Sequence, residues 1–493
     1  MQRNVARLWA LWLALAVPSF AALPFNTIWE VRPTVGSDTT AGGCFISTGT
    51  GTDYSQQNAA QYSASDLSVV TTTVTSVSHS FVAADVGNCI HITAGTGLTT
   101  GFYQIVSVMT GTATLDRSAG TGSAGTYYVG GALATPPQAN TNATACNTIW
   151  IKATGTYTAT SAMTVTISSS TTPQTPLSFI GYTSTRGDNG QITWTTATSS
   201  INLVAFTGGD TGTGANNVKF QNIRFTTTAS TKGYAMVALT SGNAFSIYAI
   251  NDYFSSFVSA FYGNYNVDFC FEGLYVINTR ITASSSYGVI NSCTTTFFGS
   301  MIDANGADGA IWDSGAPYAD SSSWAVFHTI FYNNAGNGLN IFNGDTGGDT
   351  LPIVIVDHCD FSTNTSNGLL TPNTINPSAL ISNSIFDANG GYGVSTSSAS
   401  STPPFLSYSN AFYNNTLGQT QGVTGGIGTI TLSGSPYVSV GTNFALNSTA
   451  GGAALYSAGF PGVMPGGTGF AAVGALQPAA STGGGLHGYP IVQ

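Results

Sequence analysis

The densest run of titratable side chains in the chain is Val356-Asp357-His358-Cys359-Asp360-Phe361. An imidazole beside carboxylates can take up and return a proton near neutral pH. A second imidazole, His328, holds the same place in an earlier sequence unit. If the two units stack as neighbouring strands, roughly 4.8 Å would separate the rings, close enough to share a proton or a metal. Asp303, Asp308 and Asp313 crowd another short stretch. They either line a groove or are solvated. Asp303, His328 and His358 are therefore the candidate catalytic residues. Trp312, Tyr318, Trp324 and Tyr332 are rings of the type that stack on sugars, although such rings also fill β cores. Asp345-Thr-Gly-Gly-Asp349 has the composition of an irregular calcium loop, and equally of a plain turn.

Other chemistries lack their residues. No Gly-x-Ser-x-Gly elbow, Gly-Lys-Ser/Thr phosphate loop or Cys-x-x-Cys pair occurs. Asp and Glu total 20 against 10 Lys and Arg, and no Lys or Arg follows Arg280. A nucleic-acid footprint needs clustered cations, so that partner is disfavoured. Six cysteines suit an oxidising compartment. Cys270 and Cys293 are spaced to bridge adjacent coils, while free buried thiols are an equal alternative.

The N-terminus reads as an export signal. Arg3 and Arg7 precede the apolar run Leu8 to Val17, and Pro18-Ser-Phe-Ala-Ala22 suits cleavage. Residues 1–22 are expected to be removed and the protein secreted.

What must position the candidate residues is a repeat. Apolar anchors recur at Phe225, Phe254, Ile281, Ile302, Phe331, Phe361, Phe386 and Phe412. Successive anchors are roughly 21 to 30 residues apart, the length of one solenoid coil. Three residues after the later anchors stand Asn305, Asn334, Asn364, Asn389 and Asn415. Seven residues after come Gly288, Gly309, Gly338, Gly368 and Gly393. Three residues before stand Asn222, Asn251, Asn278, His328, His358 and Asn383. Inward asparagines can bond the asparagine above and below, and the glycines are read as freeing the backbone at a corner. Helix formers and a 3.6-residue period are both missing. The expected fold is all-β, a parallel solenoid.

The units Asn383-Ser-Ile-Phe-Asp-Ala-Asn-Gly-Gly-Tyr-Gly-Val and His328-Thr-Ile-Phe-Tyr-Asn-Asn-Ala-Gly-Asn-Gly-Leu resemble coils of the pectin-lyase-like superfamily. Ile149-Trp-Ile-Lys-Ala-Thr-Gly-Thr-Tyr resembles the first strand of such proteins. The resemblance spans residues 145–420 and implies a right-handed parallel β-helix. That superfamily hosts lyases, hydrolases, epimerases, tailspikes and adhesins, so the resemblance carries fold more than function. Asp357-His358 also resembles the Asp-His segment of pectate lyases, which implies calcium at Asp357 with Asp360 as helper. Those lyases use an arginine base, and none follows Arg280 here. The motifs of polygalacturonase-like hydrolases are missing as well.

Around the β-helix, 23–144 is expected to form a β-rich N-terminal module that caps the solenoid, resembling small modules of phage-type virion proteins. Thr135-Pro-Pro marks its end. Residues 421–493 are expected to fold back as a C-terminal cap, with disorder near Ser481-Thr-Gly-Gly-Gly. The functional expectation is an extracellular structural, adhesive or glycan-contacting protein. The alternative is a polysaccharide lyase or glycoside hydrolase. The expected partner is an extracellular polysaccharide or cell-surface glycan, with no membrane span and with room for a homotrimer.

Overall fold

The computed structural model describes residues 23–24, 26–166, 176–207, 216–239, 245–263, 270–313, 323–342, 353–371, 378–396, 405–423, 426–449, 451–456, 458–459 and 472–476. Short strands dominate, stacked into three sheets of 12, 11 and 10 strands that are parallel apart from one antiparallel edge strand of the first. Sheet 1 runs from Thr27–Val31 through Thr148–Lys152 to Phe405–Tyr408. Sheet 2 runs from Tyr157–Ala159 to Ile430–Thr431, and sheet 3 from Met163–Val165 to Gly418–Gln421. Each circuit of the chain adds one strand to each sheet. This is the expected right-handed parallel β-helix.

The anchors explain why the coils stay in register. Ile302, Phe331, Phe361, Phe386 and Phe412 pair strand to strand along sheet 2 and point into the core. The Phe331, Phe361 and Phe386 rings stack at 4.9 Å, within 5° of parallel. That separation matches the strand spacing, so ring stacking and backbone pairing reinforce one another.

The asparagine ladder is present. Asn305, Asn334 and Asn364 each donate from Nδ2 to the Oδ1 of the next asparagine at 2.9 Å, and Asn389 donates to Asn415 at 2.8 Å. Each Oδ1 also accepts a backbone N–H, as Asn364 Oδ1 does from Asn334. The second amide proton of Asn334, Asn364 and Asn389 goes to an anchor carbonyl. Four buried amides are thereby satisfied without water.

The glycine column has a different reason from the one expected. Gly338 and Gly368 are not left-handed. A Cβ on either would lie 2.7 Å from the next glycine's carbonyl oxygen and within 2.8 Å of a Phe ring. Glycine is required by the close approach of two coils, not by a corner.

The N-terminal region is divided between two bodies. Thr27–Val31 pairs in parallel with Thr148–Lys152 and so belongs to sheet 1. Cys44–Ile46 turns back antiparallel on it. The intervening chain closes a six-stranded barrel between Tyr62 and Val129, with its own apolar core. The helix Pro136–Asn142, N-capped by Thr135, packs beside the first strands of sheets 1 and 3. Buried Glu30 ties the first strand of sheet 1 to the coil that follows. It pairs with Arg32 and Arg186, Arg186 also reaches Asp53, and the Tyr182 hydroxyl donates to Glu30. The Cys44–Cys89 disulfide adds a covalent link. Cys270 and Cys293 are bonded as their spacing suggested, with Cα atoms 5.7 Å apart.

The C-terminal segment lies along the flank of the solenoid. Leu432, Tyr437, Phe444, Leu446, Leu455, Ala472, Val473 and Ala475 form one buried cluster with Met301, Ile330, Ile385 and Ala411. Those four are outward-facing positions of sheet 2, because they sit one residue before the inward anchors. Residues 1–22 and 481–485, on which the export-signal and disorder expectations fall, lie outside the described residues. No described helix is long and apolar enough to cross a membrane.

Candidate functional site

Sheet 2 ends each circuit with an inward anchor flanked by two outward residues. Register sets Arg280, Met301, Ile330, Asp360 and Ile385 in one outer column. It sets Thr282, Asp303, Tyr332, Ser362 and Asp387 in the other. The bend joining sheet 1 to sheet 2 carries His328 and His358. These elements place every described candidate except the two tryptophans.

The bend imposes left-handed backbone. Asn222, Asn251, Asn278, His328, His358 and Asn383 all have φ between 49° and 59°. Asn adopts this region more readily than branched residues, and His is also enriched there. The histidines thus stand where the backbone asks for Asn-like residues. Their rings stack at 5.1 Å and 24°. His358 Nδ1 lies 2.7 Å from Asp357 Oδ2. Asp357 Oδ1 accepts from Ser382 Oγ and Asn383 Nδ2. Burial pushes the Asp357 carboxyl up, but the bonds from His358, Ser382 and Asn383 outweigh it and hold it below the usual range. His328 Nδ1 lies 3.2 Å from the Ala475 carbonyl oxygen. Burial first, and then the nearness of His358, lower the pKa of His328 below the ordinary imidazole value. The side chains of Asp357 and His358 keep 28% and 12% of their surface, enough for a small group to reach the pair.

The other acids are committed elsewhere. Asp303 takes two parallel bonds of 3.0 Å from Arg280 and one from Thr282. Asp308 accepts from Asn337 and Asn340 in a second interior ladder that continues to Asn367. Asp360 is sealed beneath the C-terminal segment, where its Oδ1 accepts the Ala475 N–H at 3.1 Å. Burial pushes Asp360 up to about 8 and Asp387 up to about 6. Asp357 and Asp360, expected to share calcium, therefore face different surroundings. Among the described residues no three His, Cys, Asp or Glu side chains converge as a metal site.

The aromatic set is corrected. Trp312 and Trp324 are buried and donate Nε1–H to the carbonyls of Ser292 and Cys293. Neither offers a ring face to a sugar. Tyr332 is half-buried with its ring edge-on to Phe444 of the C-terminal segment. Tyr318, Asp345 and Asp349 lie outside the described residues.

Comparison with solved structures places this geometry. The structure is similar to the crystal structure of pectate lyase Pel9A, with a TM-score of 0.50 and 15% identity over 71% of this chain and 92% of that one. The chain shares the parallel β-helix fold of that structure. Lower similarity is found to the A-module of mannuronan C-5 epimerase AlgE6 from Azotobacter vinelandii, with a TM-score of 0.30, 11% identity and coverage of 58% and 91%. The catalytic domain of a GH87 α-1,3-glucanase gives 0.27, 12%, 79% and 92%. No protein-family profile matches the sequence, nor does any curated protein.

Within this β-helix, four participants were not read as part of the site. Arg280 was seen only as the last cation, although it sits one residue before its anchor and Asp303 one residue after the next. Counting positions from the anchor would have paired them. Ser382 and Asn383 follow from the same count. The Ala475 contact had no signal in the sequence, because a single backbone group carries it.

Proposed function

We propose that the protein is a secreted β-helix with an extracellular structural, adhesive or glycan-contacting role. One observation carries this: the acids a hydrolase or lyase would need are already used. Asp303 neutralises Arg280, Asp308 belongs to a ladder, and Asp360 is sealed beneath the protein's own chain. Long uncharged sheets of this kind suit contact with extended polymers. A glycan-array screen on the mature chain is the direct test, with binding to an extracellular polysaccharide expected. Binding to no glycan would leave the structural role standing.

The alternative is a polysaccharide-active enzyme. It is favoured by the Asp357–His358 pair and its contact with His328, a partly open titratable cluster. The pectate lyase, epimerase and glucanase among similar structures act on polysaccharides. Uronide elimination needs a base at the C–H and a cation at the carboxylate. Arg280 is the last cation and already holds Asp303. No β-elimination of polygalacturonate or alginate is therefore expected, with or without calcium, by absorbance of the unsaturated product at neutral and alkaline pH. Calcium-dependent turnover lost in Asp357→Ala would promote the enzyme instead.

A further inference from the structure

The C-terminal segment covers two carboxyls with a strip of chain that has no charge of its own. From Leu432 to Leu476 the sequence contains no Asp, Glu, Lys, Arg or His. Its described parts include the hairpin Tyr437–Ser439/Asn443–Leu446, the turn Ala453–Leu455 and residues 472–476. They bury Asp360 to 0%, Asp387 to 1% and Tyr437 to 4% exposure. The surroundings are Met301, Ile330, Ile385, Leu446, Leu455 and Val473.

Hydrogen bonding there is incomplete. Asp387 Oδ1 has no partner, and the Tyr437 hydroxyl approaches Asp360 without full hydrogen-bond geometry, a contact that only partly offsets the burial of that carboxyl. Asp387 Oδ2 accepts from Ser362 at 3.2 Å. The titratable groups facing Asp360 are Asp387 from sheet 2 and Tyr437 from the hairpin, while Asp357 and Cys359 are its chain neighbours. Asp387 faces Ser362, Asp360 and Tyr437. Residues 472–476 contribute no titratable side chain. Among the described residues no Lys or Arg bonds to either carboxyl. His328, the nearest imidazole in the segment's bonding, is held by the Ala475 carbonyl. An ionised carboxylate in such a place is costly, whereas a protonated one is tolerated.

We propose that the C-terminal segment is a pH-sensitive strap, closed over the outer face of sheet 2 while Asp360 and Asp387 carry protons and loosened when they lose them. The sign follows from linkage. Both carboxyls bind protons more tightly when covered than at the ordinary value of 3.8. Closure is therefore strongest below about pH 4. From about pH 4 to 6 opening releases two protons, so the closed-to-open ratio falls by up to about a hundredfold per pH unit. From about pH 6 to 8 only Asp360 still contributes, and the fall is about tenfold per unit. The strap's hold on the bend at His328 and Asn383, through the Ala475 carbonyl and the Gly474 N–H, would loosen with it.

Hydrogen-exchange mass spectrometry on the full chain, corrected for the intrinsic pH dependence of exchange, reads this directly. Peptides containing Tyr437–Ser439, Asn443–Leu446 and Ala472–Leu476 should lose protection about tenfold per unit between about pH 6 and 8. The strand Ile353–Asp357 should keep its protection over the same range. In Asp360→Asn/Asp387→Asn the strap peptides should be level with pH. Level protection in the natural protein from about pH 4 to 9, or an unchanged pH dependence in the double variant, would overturn the proposal. Asp387→Asn alone serves if the double variant does not fold. It should cut the slope below pH 6 to about tenfold per unit and leave the slope above pH 6 as it was. An unaltered slope below pH 6 would also count against the strap.

Discussion

Two columns of polar residues run along the later coils of the solenoid, one on each side of the apolar anchors, and they obey different physics. The column after the anchor, from Asn305 to Asn415, is chosen by side-chain hydrogen bonding. Each amide is bonded to its neighbours above and below, inside a closed core. The column before the anchor, from Asn222 to Asn383, is chosen by the backbone, because every member is left-handed. Its side chains bond where they can, as Asn251 does to Asn222 and Asn383 does to Asp357. From Asn305 to Asn415 the first column is Asn in every coil, while the second admits histidine at 328 and 358. A repeat position can be uniform in sequence for either reason, and only the second leaves room for chemistry.

Substitutions at three positions test that contrast. Asn364→Leu should cost about 1–3 kcal/mol, because Asn334, Asn389 and the Phe331 carbonyl all lose a partner. An unchanged melting temperature would break the ladder argument. His358→Val should cost about 1–2 kcal/mol from placing a branched residue in left-handed backbone, whereas His358→Asn should be nearly neutral. Equal losses in the two variants would show that the ring, not the backbone, selects that position. The smallest effect is expected one residue further on, where Cys359 follows the bend. Thr279, Ser300, Thr329 and Ser384 hold the corresponding place and donate to nearby carbonyls. The Cys359 thiol does the same toward Val326 and Asp357. Cys359→Ser should shift stability by less than about 1 kcal/mol. The native thiol should resist thiol reagents, since burial pushes its pKa well up. Rapid labelling of Cys359 in the folded protein would contradict that placement.

Much of the fold was legible because a solenoid repeats one short local problem. The Phe and Asn spacing alone identified the inward rings, the ladder and the coil length. The reason for the glycines was not legible, since a spacing does not distinguish a left-handed corner from a Cβ colliding with the next coil. The candidate site was legible only as a list of residues. Asp357, His358 and His328 were named together correctly as neighbours, because they lie on adjacent coils at fixed distances from their anchors. For Trp312 and Trp324 the sequence left sugar stacking and core packing both open, because a lone aromatic near a long turn has no period to follow.

Sequence by itself determined the class of fold, the stacking direction and which side chains share a column. Those follow from local alternation and from a repeat whose period is set by backbone geometry. Tertiary structure decided which outward columns are open to solvent. That depends on where the non-repeating C-terminal segment lies, and its contacts with Asp360, Asp387 and His328 join residues far apart in the chain through apolar packing and single backbone groups. No local pattern encodes such contacts. The same placement turns Asp360 from an exposed acid into a sealed one, because the free energy of a charge depends on what covers it.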